Sequence, residues 1–321
     1  MDAMQAGLDP AEFADSAQRA VAACATLDPA ASAVRLAEDG LLGVLAAEDV
    51  GGLGLDLRFA VPVLQAAGAG DLAFPLLEAL LLGRHLAGPS PEIAAALVAG
   101  EARGTVAWAG SARGDLTGTV GRAPMARGAD WLLVRQGDGA ALVPATGFSV
   151  SDAIGLDETV PEQTVTLTGD TPACRLDATA WAALQEEALL LRAAAILGAA
   201  ETCLALAADY VTNRRQFGKP LVANQALRHQ LARQKLALEG MRGAITRATA
   251  CGETLPRQAA FLAAATHGPV IAEGAIQAHG GMGFTWDVPV HRHLRRIRTL
   301  AAQGEVRQIR EAVAAALIDT N

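Results

Sequence analysis

Residues 210–221 read YVTNRRQFGKPL, and they end a long apolar run with a sudden cluster of chemically active groups. Two guanidiniums, Arg214 and Arg215, are followed by an amide, an aromatic ring, a glycine, a lysine and a proline. Cations in a last turn offset the negative end of a helix dipole, and Gly218 and Pro220 read as ordinary stop signals. The competing reading is a clamp for something anionic and planar, because an arginine fork meets two oxygens at once.

The surrounding chain gives the stretch its setting. The run ATAWAALQEEALLLRAAAILGAAETCLALAADYVTNRRQFG, from Ala178, is long enough for one extended helix. Three more follow: NQALRHQLARQKLALEGMRGAITRATACG, LPRQAAFLAAATHGPVIAEGAIQAHGG and TLAAQGEVRQIREAVAAALIDT. Four long helices with short connections predict a four-helix bundle over 176–321. Residues 1–105 read as shorter helices joined by tight Gly-rich loops, and SPEIAAALVAGEA opens with a Ser cap and a Pro at the first helical position. Residues 106–175 change texture: they are Val-, Trp- and Thr-bearing and punctuated by glycine. There QGDGA predicts a hairpin turn between WLLVR and ALVPA, and QTVTLTGD an alternating strand. The expected fold is mainly α: an N-terminal helical domain, a small central antiparallel β domain, and a C-terminal four-helix bundle.

Composition excludes several classes. Of 321 residues 51% are hydrophobic and 19% charged, with a net charge of -8 that argues against a nucleic-acid surface. The four cysteines show no CxxC pair and no Cys/His ligand spacing, so no metal site is expected and the thiols read as reduced. The start, MDAMQAGLDPAEFADSAQRA, carries acids where a signal peptide needs a basic end. Apolar runs such as FPLLEALLLG are broken by charge before membrane-spanning length. A cytoplasmic protein without a membrane span is expected.

The order of the three zones, with two stretches in place, resembles the acyl-CoA dehydrogenase family of flavoenzymes. YVTNRRQFGKPLVANQALRHQLA is similar to the family's Tyr-x-x-x-Arg-x-Gln-Phe-Gly and the Gln-bearing helix start after it. QAHGGMGFTWDVPVHRHLRRIRTL, Gln277 to Leu300, is similar to its Gln-x-x-Gly-Gly-x-Gly loop and Arg-bearing helix. A third echo is AEDGLLGVLAAEDVGGLGL, and the chain is shorter than typical members, mostly in its N-terminal and β material. The resemblance implies FAD, an acyl-CoA substrate, an electron-transfer acceptor, and an arm by which one subunit reaches its neighbour's cofactor. Arg214 and Gln216 then contact the diphosphate or ribityl region and Phe217 packs on the cofactor. Gln277, Gly280 and Gly281 approach the adenosine end, and Gln225 and Gln308 match further contact positions. Arg215 and Lys219 read as solvated surface and His279 as packing.

The catalytic base is where the resemblance breaks. Family members that oxidise a thioester remove an α-proton with a carboxylate while the β-hydrogen leaves as hydride. Aligned on Arg295, the usual base position is Gly304, with Gln303 where Tyr stands and Val306 where Thr stands. Glu305, one residue off, is a candidate base too, although one residue turns a helical side chain by about 100°. Other members carry the base on the preceding long helix, at about Ala188 here, beside Glu186 and Glu187. Either acid is a candidate base, or both are a solvated turn near Arg192. In the β zone Ser111 is a candidate flavin contact, and Trp108 and Trp131 read as core. Short members of this family work in α2β2 complexes on bulky CoA thioesters, so a homo- or hetero-oligomer is implied. A non-catalytic partner subunit and a same-fold flavin monooxygenase stand as alternatives.

Overall fold

The computed structural model describes residues 8–151 and 155–318. The leader reading of the first seven residues therefore lies outside the described residues.

Five helices form the N-terminal layer: α1 (Pro10–Ala23), α2 (Pro29–Glu38), α3 (Leu57–Ala69), α4 (Leu76–Leu86) and α5 (Pro91–Val98). The Asp-Pro pairs at 9–10 and 28–29 start the first two, the Asp carboxylate accepting backbone N–H groups and Pro filling the first turn. Ser90 stands at the N-cap of α5 but its hydroxyl accepts nothing there, so the cap expected of it is absent and Pro91 alone marks the start.

Strands β1 (Gly104–Ala112), β2 (Thr117–Pro124), β3 (Trp131–Gln136), β4 (Gly139–Pro144), β5 (Phe148–Val150), β6 (Glu162–Thr168) and β7 (Cys174–Leu176) make one sheet, ordered β5-β6-β2-β1-β3-β4-β7. The expected hairpin joins β3 to β4 through Gly137, at φ +60°. The sheet is not wholly antiparallel: β1 runs parallel to β3, because β2 leaves one edge of β1 and the chain returns along the other. It encloses its own apolar cluster, including Leu132, Val134 and Val165.

The C-terminal part holds α6 (Ala178–Asn213), α7 (Gln225–Cys251), α8 (Thr254–His279), α9 (Val290–Gln303) and α10 (Val306–Ile318). The last predicted helix is in fact two, broken at Gly304 and Glu305, the latter at φ +51°. α6 is the central rod, packed against α3, α7, α8 and α9. Two glycines set how closely it meets α3: a Cβ on Gly68 would overlap the Ala195 carbonyl, and one on Gly198 the Gln65 carbonyl. α6 and the stretch 254–284 are long and apolar enough to cross a membrane, contrary to the sequence expectation, but 78% of the apolar window of α6 is buried inside the protein.

One buried guanidinium joins the three parts. Arg296 on α9 pairs with Asp157 and Asp71, donates to the Thr159 hydroxyl at 2.6 Å and to the Leu72 carbonyl at 3.1 Å. Beside it, burial first and then Arg296 and Arg292 push His293 down to about 4.

Two outcomes follow from this packing. Gly198→Ala lowers stability by about 2–3 kcal/mol in denaturant titration, because the methyl meets backbone that cannot yield. His293 has a folded pKa below its unfolded value near 6.5, so its contribution is present above pH 6.5 and is lost as pH falls toward 4. Burial raises Asp71, which acts with the opposite sign, so the comparison is between variants. His293→Asn is expected to remove a pH dependence of about 3 kcal/mol between those limits, read as the difference in Tm slope from wild type.

Candidate functional site

The arm of the opening stretch is a two-residue-stranded hairpin, β8 (Arg215–Gln216) against β9 (Lys219–Pro220). Its turn residues are Phe217 at φ +51° and Gly218 at φ +79°, both left-handed as a tight hairpin of this twist demands. Glycine adopts that conformation freely and phenylalanine does not. Phe217 is nevertheless held there with its ring 98% exposed. Arg214, Arg215, Gln216 and Lys219 are exposed too, and among the described residues no carboxylate pairs with Arg214 or Arg215.

The second motif lies beside the root of the arm. Tyr210, one turn before Arg214, stacks on His279 with ring centroids 4.5 Å apart. His279 is buried, its Nδ1 2.8 Å from the Ala275 carbonyl. The packing role expected of it is the one it has. Gln277, Gly280 and Gly281 follow on the surface. The glycines there differ in why they are glycine. Gly280 turns at φ +61°, and a Cβ on Gly283 would strike Ile276. Gly281 has neither reason: its backbone faces open space, which suits the close approach of a ligand. Gln225 is exposed at the start of α7, whereas Gln308, exposed on α10, lines the cleft beside Gly304 and is not brought to the arm. These exposed donors and bare backbone suit the close approach of an anionic cofactor.

The candidate bases separate. Glu187 is buried and committed to Arg84 at 3.2 Å and His85 at 3.0 Å. It lines a cleft between α1, α3 and α7, away from Gly304. Glu186 accepts from Thr254 Oγ1 at 2.6 Å and faces, with Glu305, a second cleft of about 220 Å³ that Gly304 also lines. Gly304 itself is packed under the ring of fully buried Phe261, and any Cβ would enter that ring. No carboxylate side chain fits at position 304, where the sequence reading expected the base, without displacing Phe261.

The floor of the 220 Å³ cleft holds residues that the sequence reading passed over or took as core. Arg192, 2% exposed, lies over the Trp108 ring at 3.9 Å and donates from Nε to Gln303 Oε1 at 3.4 Å. The Trp108 indole N–H donates to Glu78 at 2.8 Å. Burial brings Arg192 down to about 10 and raises Glu78. Arg192 is therefore no member of a solvated turn. The signal was a single charge inside ALLLRAAAILGAA, where a helix buried all round has nowhere to put it. Ser111 hydrogen-bonds the Arg135 carbonyl at 3.2 Å on the sheet surface, and Trp131 packs half-buried on the core.

Sequence and structure comparisons agree on one set of relatives. A family model described as "Acyl-CoA dehydrogenase, C-terminal domain" matches residues 178–317. Acyl-CoA dehydrogenase IpdE2 of Mycobacterium tuberculosis is 29% identical over 264 residues, covering 80% of this chain and 76% of that protein. Acyl-CoA dehydrogenase FadE27 of the same organism is 28% identical, with 86% of each covered. A chain of the ChsE4-ChsE5 complex from Mycobacterium tuberculosis superposes with a TM-score of 0.87 at 26% identity, over 97% of this chain and 98% of that one.

Packing at Gly304 gives a direct test. Gly304→Glu is expected to lower stability by about 2–3 kcal/mol, since the new side chain overpacks a closed site. Phe261→Ala should cost less in the Gly304→Glu background than in wild type, whereas independent sites would sum their losses; a double-mutant cycle in urea measures the coupling.

Proposed function

We propose that this chain, which belongs to the acyl-CoA dehydrogenase family and has its fold, serves as one subunit of an FAD-dependent complex that dehydrogenates an acyl-CoA thioester at Cα and Cβ. The observation that carries the reading is the contrast between its two motif regions. The cofactor arm is complete and exposed, while the usual base position is filled by Phe261.

Geometry adds to this. Arg192 in the cleft and Asn213 at the foot of the arm are 21 residues apart on the single helix α6. At 1.5 Å per residue that separation is about 32 Å. An arm so far from its own cleft is better placed to serve a neighbouring subunit than its own site. The ChsE4-ChsE5 complex among the structural relatives supports a partner subunit for this chain.

Bound FAD would supply the hydride acceptor and pass the electrons on to a separate acceptor. The chain's own residues do the holding. Arg214 offers a planar pair of donors to a diphosphate, Gln216 an amide, and Phe217 an apolar face already positioned in solvent. Gln277 and the bare backbone at Gly280 and Gly281 allow close approach at the other end, with Gln225 as a further polar contact. The proton at Cα goes to a carboxylate of the partner.

A second reading has its own observation: Glu186 and Glu305 share the cleft with Gly304. In that case one of them is the base in this chain. The two readings separate in the co-expressed complex. If the base lies on the partner, Glu186→Gln with Glu305→Gln leaves kcat within about twofold; a base in this chain costs about 10²–10⁴ in rate. Phe217→Ala and Arg214→Ala are expected to lower the FAD content of the purified complex, read by absorbance, with Tm of the flavin-free chain within about 1 °C of wild type, because both side chains are exposed. A complex that stays colourless with every partner overturns the proposal.

A further inference from the structure

The cleft beside Gly304 carries a buried charge that no carboxylate among the described residues pairs within 4.0 Å. Arg192 presents five N–H donors. It has one long hydrogen bond, 3.4 Å to Gln303, and a stacked indole. Its Nη2 is buried with no partner, and no carboxylate of the described residues lies within 4.0 Å. The nearest acids are engaged elsewhere: Glu78 takes the Trp108 N–H, and Glu162 pairs with Arg122 at 3.1 Å. Although burial lowers Arg192 to about 10, it stays protonated at neutral pH. A buried guanidinium with empty donors is costly, by several kcal/mol where nothing compensates.

We propose that the cleft over Arg192 is a binding site for a small carboxylate with a polar far end, the guanidinium taking the carboxylate and the cleft's amides taking the rest of the molecule. The lining supports that class over an apolar tail. Gln185, Gln258 and Gln308 stand in the cleft with Gln303 and bring amide donors and acceptors. The space, about 220 Å³, falls below that of drug-sized ligand pockets and suits a small molecule rather than a long chain. Two acids also face it. Glu186 is occupied by the Thr254 hydroxyl, and Glu305 is exposed, where solvent and salt screen it. The buried cation therefore outweighs them at the floor of the cleft. Trp108 adds a flat wall that keeps the guanidinium plane fixed, so its donors are oriented before any ligand arrives. The site uses none of the arm residues, and it stands whether or not the complex dehydrogenates a thioester.

The probe is succinate, titrated calorimetrically into the full chain, or into its complex where the chain co-purifies with a partner, with succinamide as the uncharged control. Saturable succinate binding without succinamide binding is expected. Arg192→Met should weaken it at least about tenfold, the loss typical of a charge-assisted hydrogen bond. Gln303→Glu places an internal carboxylate against Arg192, so it should abolish succinate binding, with folding of the variant checked by circular dichroism because Gln303 also donates to Glu162. That variant decides the matter if Arg192→Met does not fold. No saturable succinate binding, equal binding of succinamide, or unchanged binding in Gln303→Glu overturns the proposal. The flavin content of the complex does not enter these readouts, so this inference and the cofactor-arm reading fail separately.

Discussion

Arg296 is where the molecule is held together. Its guanidinium reaches Asp71 and the Leu72 carbonyl from the turn between α3 and α4, and Asp157 and Thr159 from the segment entering β6. The helix that carries it continues for two turns to Gln303 and Gly304. A buried ion of this kind tolerates little drift, because moving any partner leaves charge unpaired in a poorly solvating interior. Its value is less in net stability than in register. With Arg296 fixed, Gln303 comes to Arg192 and Gly304 comes to Phe261, so the floor of the cleft is set by an interaction well outside it.

α6 performs the complementary task along its length. It is buried on nearly every side through its middle, which explains why Gly198 must be glycine and why the alanines around it are small. Such a rod can place groups at both ends without bending. Glu187 and Arg192, five residues apart, point to different clefts because five residues on a helix is about 500° of rotation, far from a whole turn. Beyond Asn213 the same helix delivers Arg214 and the strained hairpin to the surface. One stiff element thus separates an interior polar site from an exterior arm.

What could be read from residues alone was what local pattern determines. Asp-Pro caps, the glycine-bounded hairpin at Gly137 and the long apolar run to Asn213 all act within a few residues. The two motif stretches around Arg214 and Gly280 were legible for the same reason. Three features were not. The parallel pairing of β1 with β3 depends on where the chain returns, which no strand pattern contains. The break at Glu305 replaces one expected helix with two, because Gly304 is pinned beneath Phe261, more than 40 residues earlier. Glu187 looked like Glu186 in sequence, yet Arg84 and His85 claim one and leave the other to the cleft. Each is a tertiary override of a local reading.

The pairing of Gly304 with Phe261 also bears on the expectation that position 304 is the place of a base. Simple loss of a side chain leaves a cavity, and a cavity lowers stability in proportion to its volume. Here the space is filled by a buried ring, so the two positions are adapted to each other. The arm was kept under the opposite condition. Phe217 sits at φ +51° with its ring in water, an arrangement that costs about 1 kcal/mol or more and that glycine or asparagine would relieve. A chain with no use for the arm would have no reason to hold a phenylalanine in that turn. A closed position 304 and a strained, exposed arm are what the proposed role of a subunit serving its neighbour's site requires.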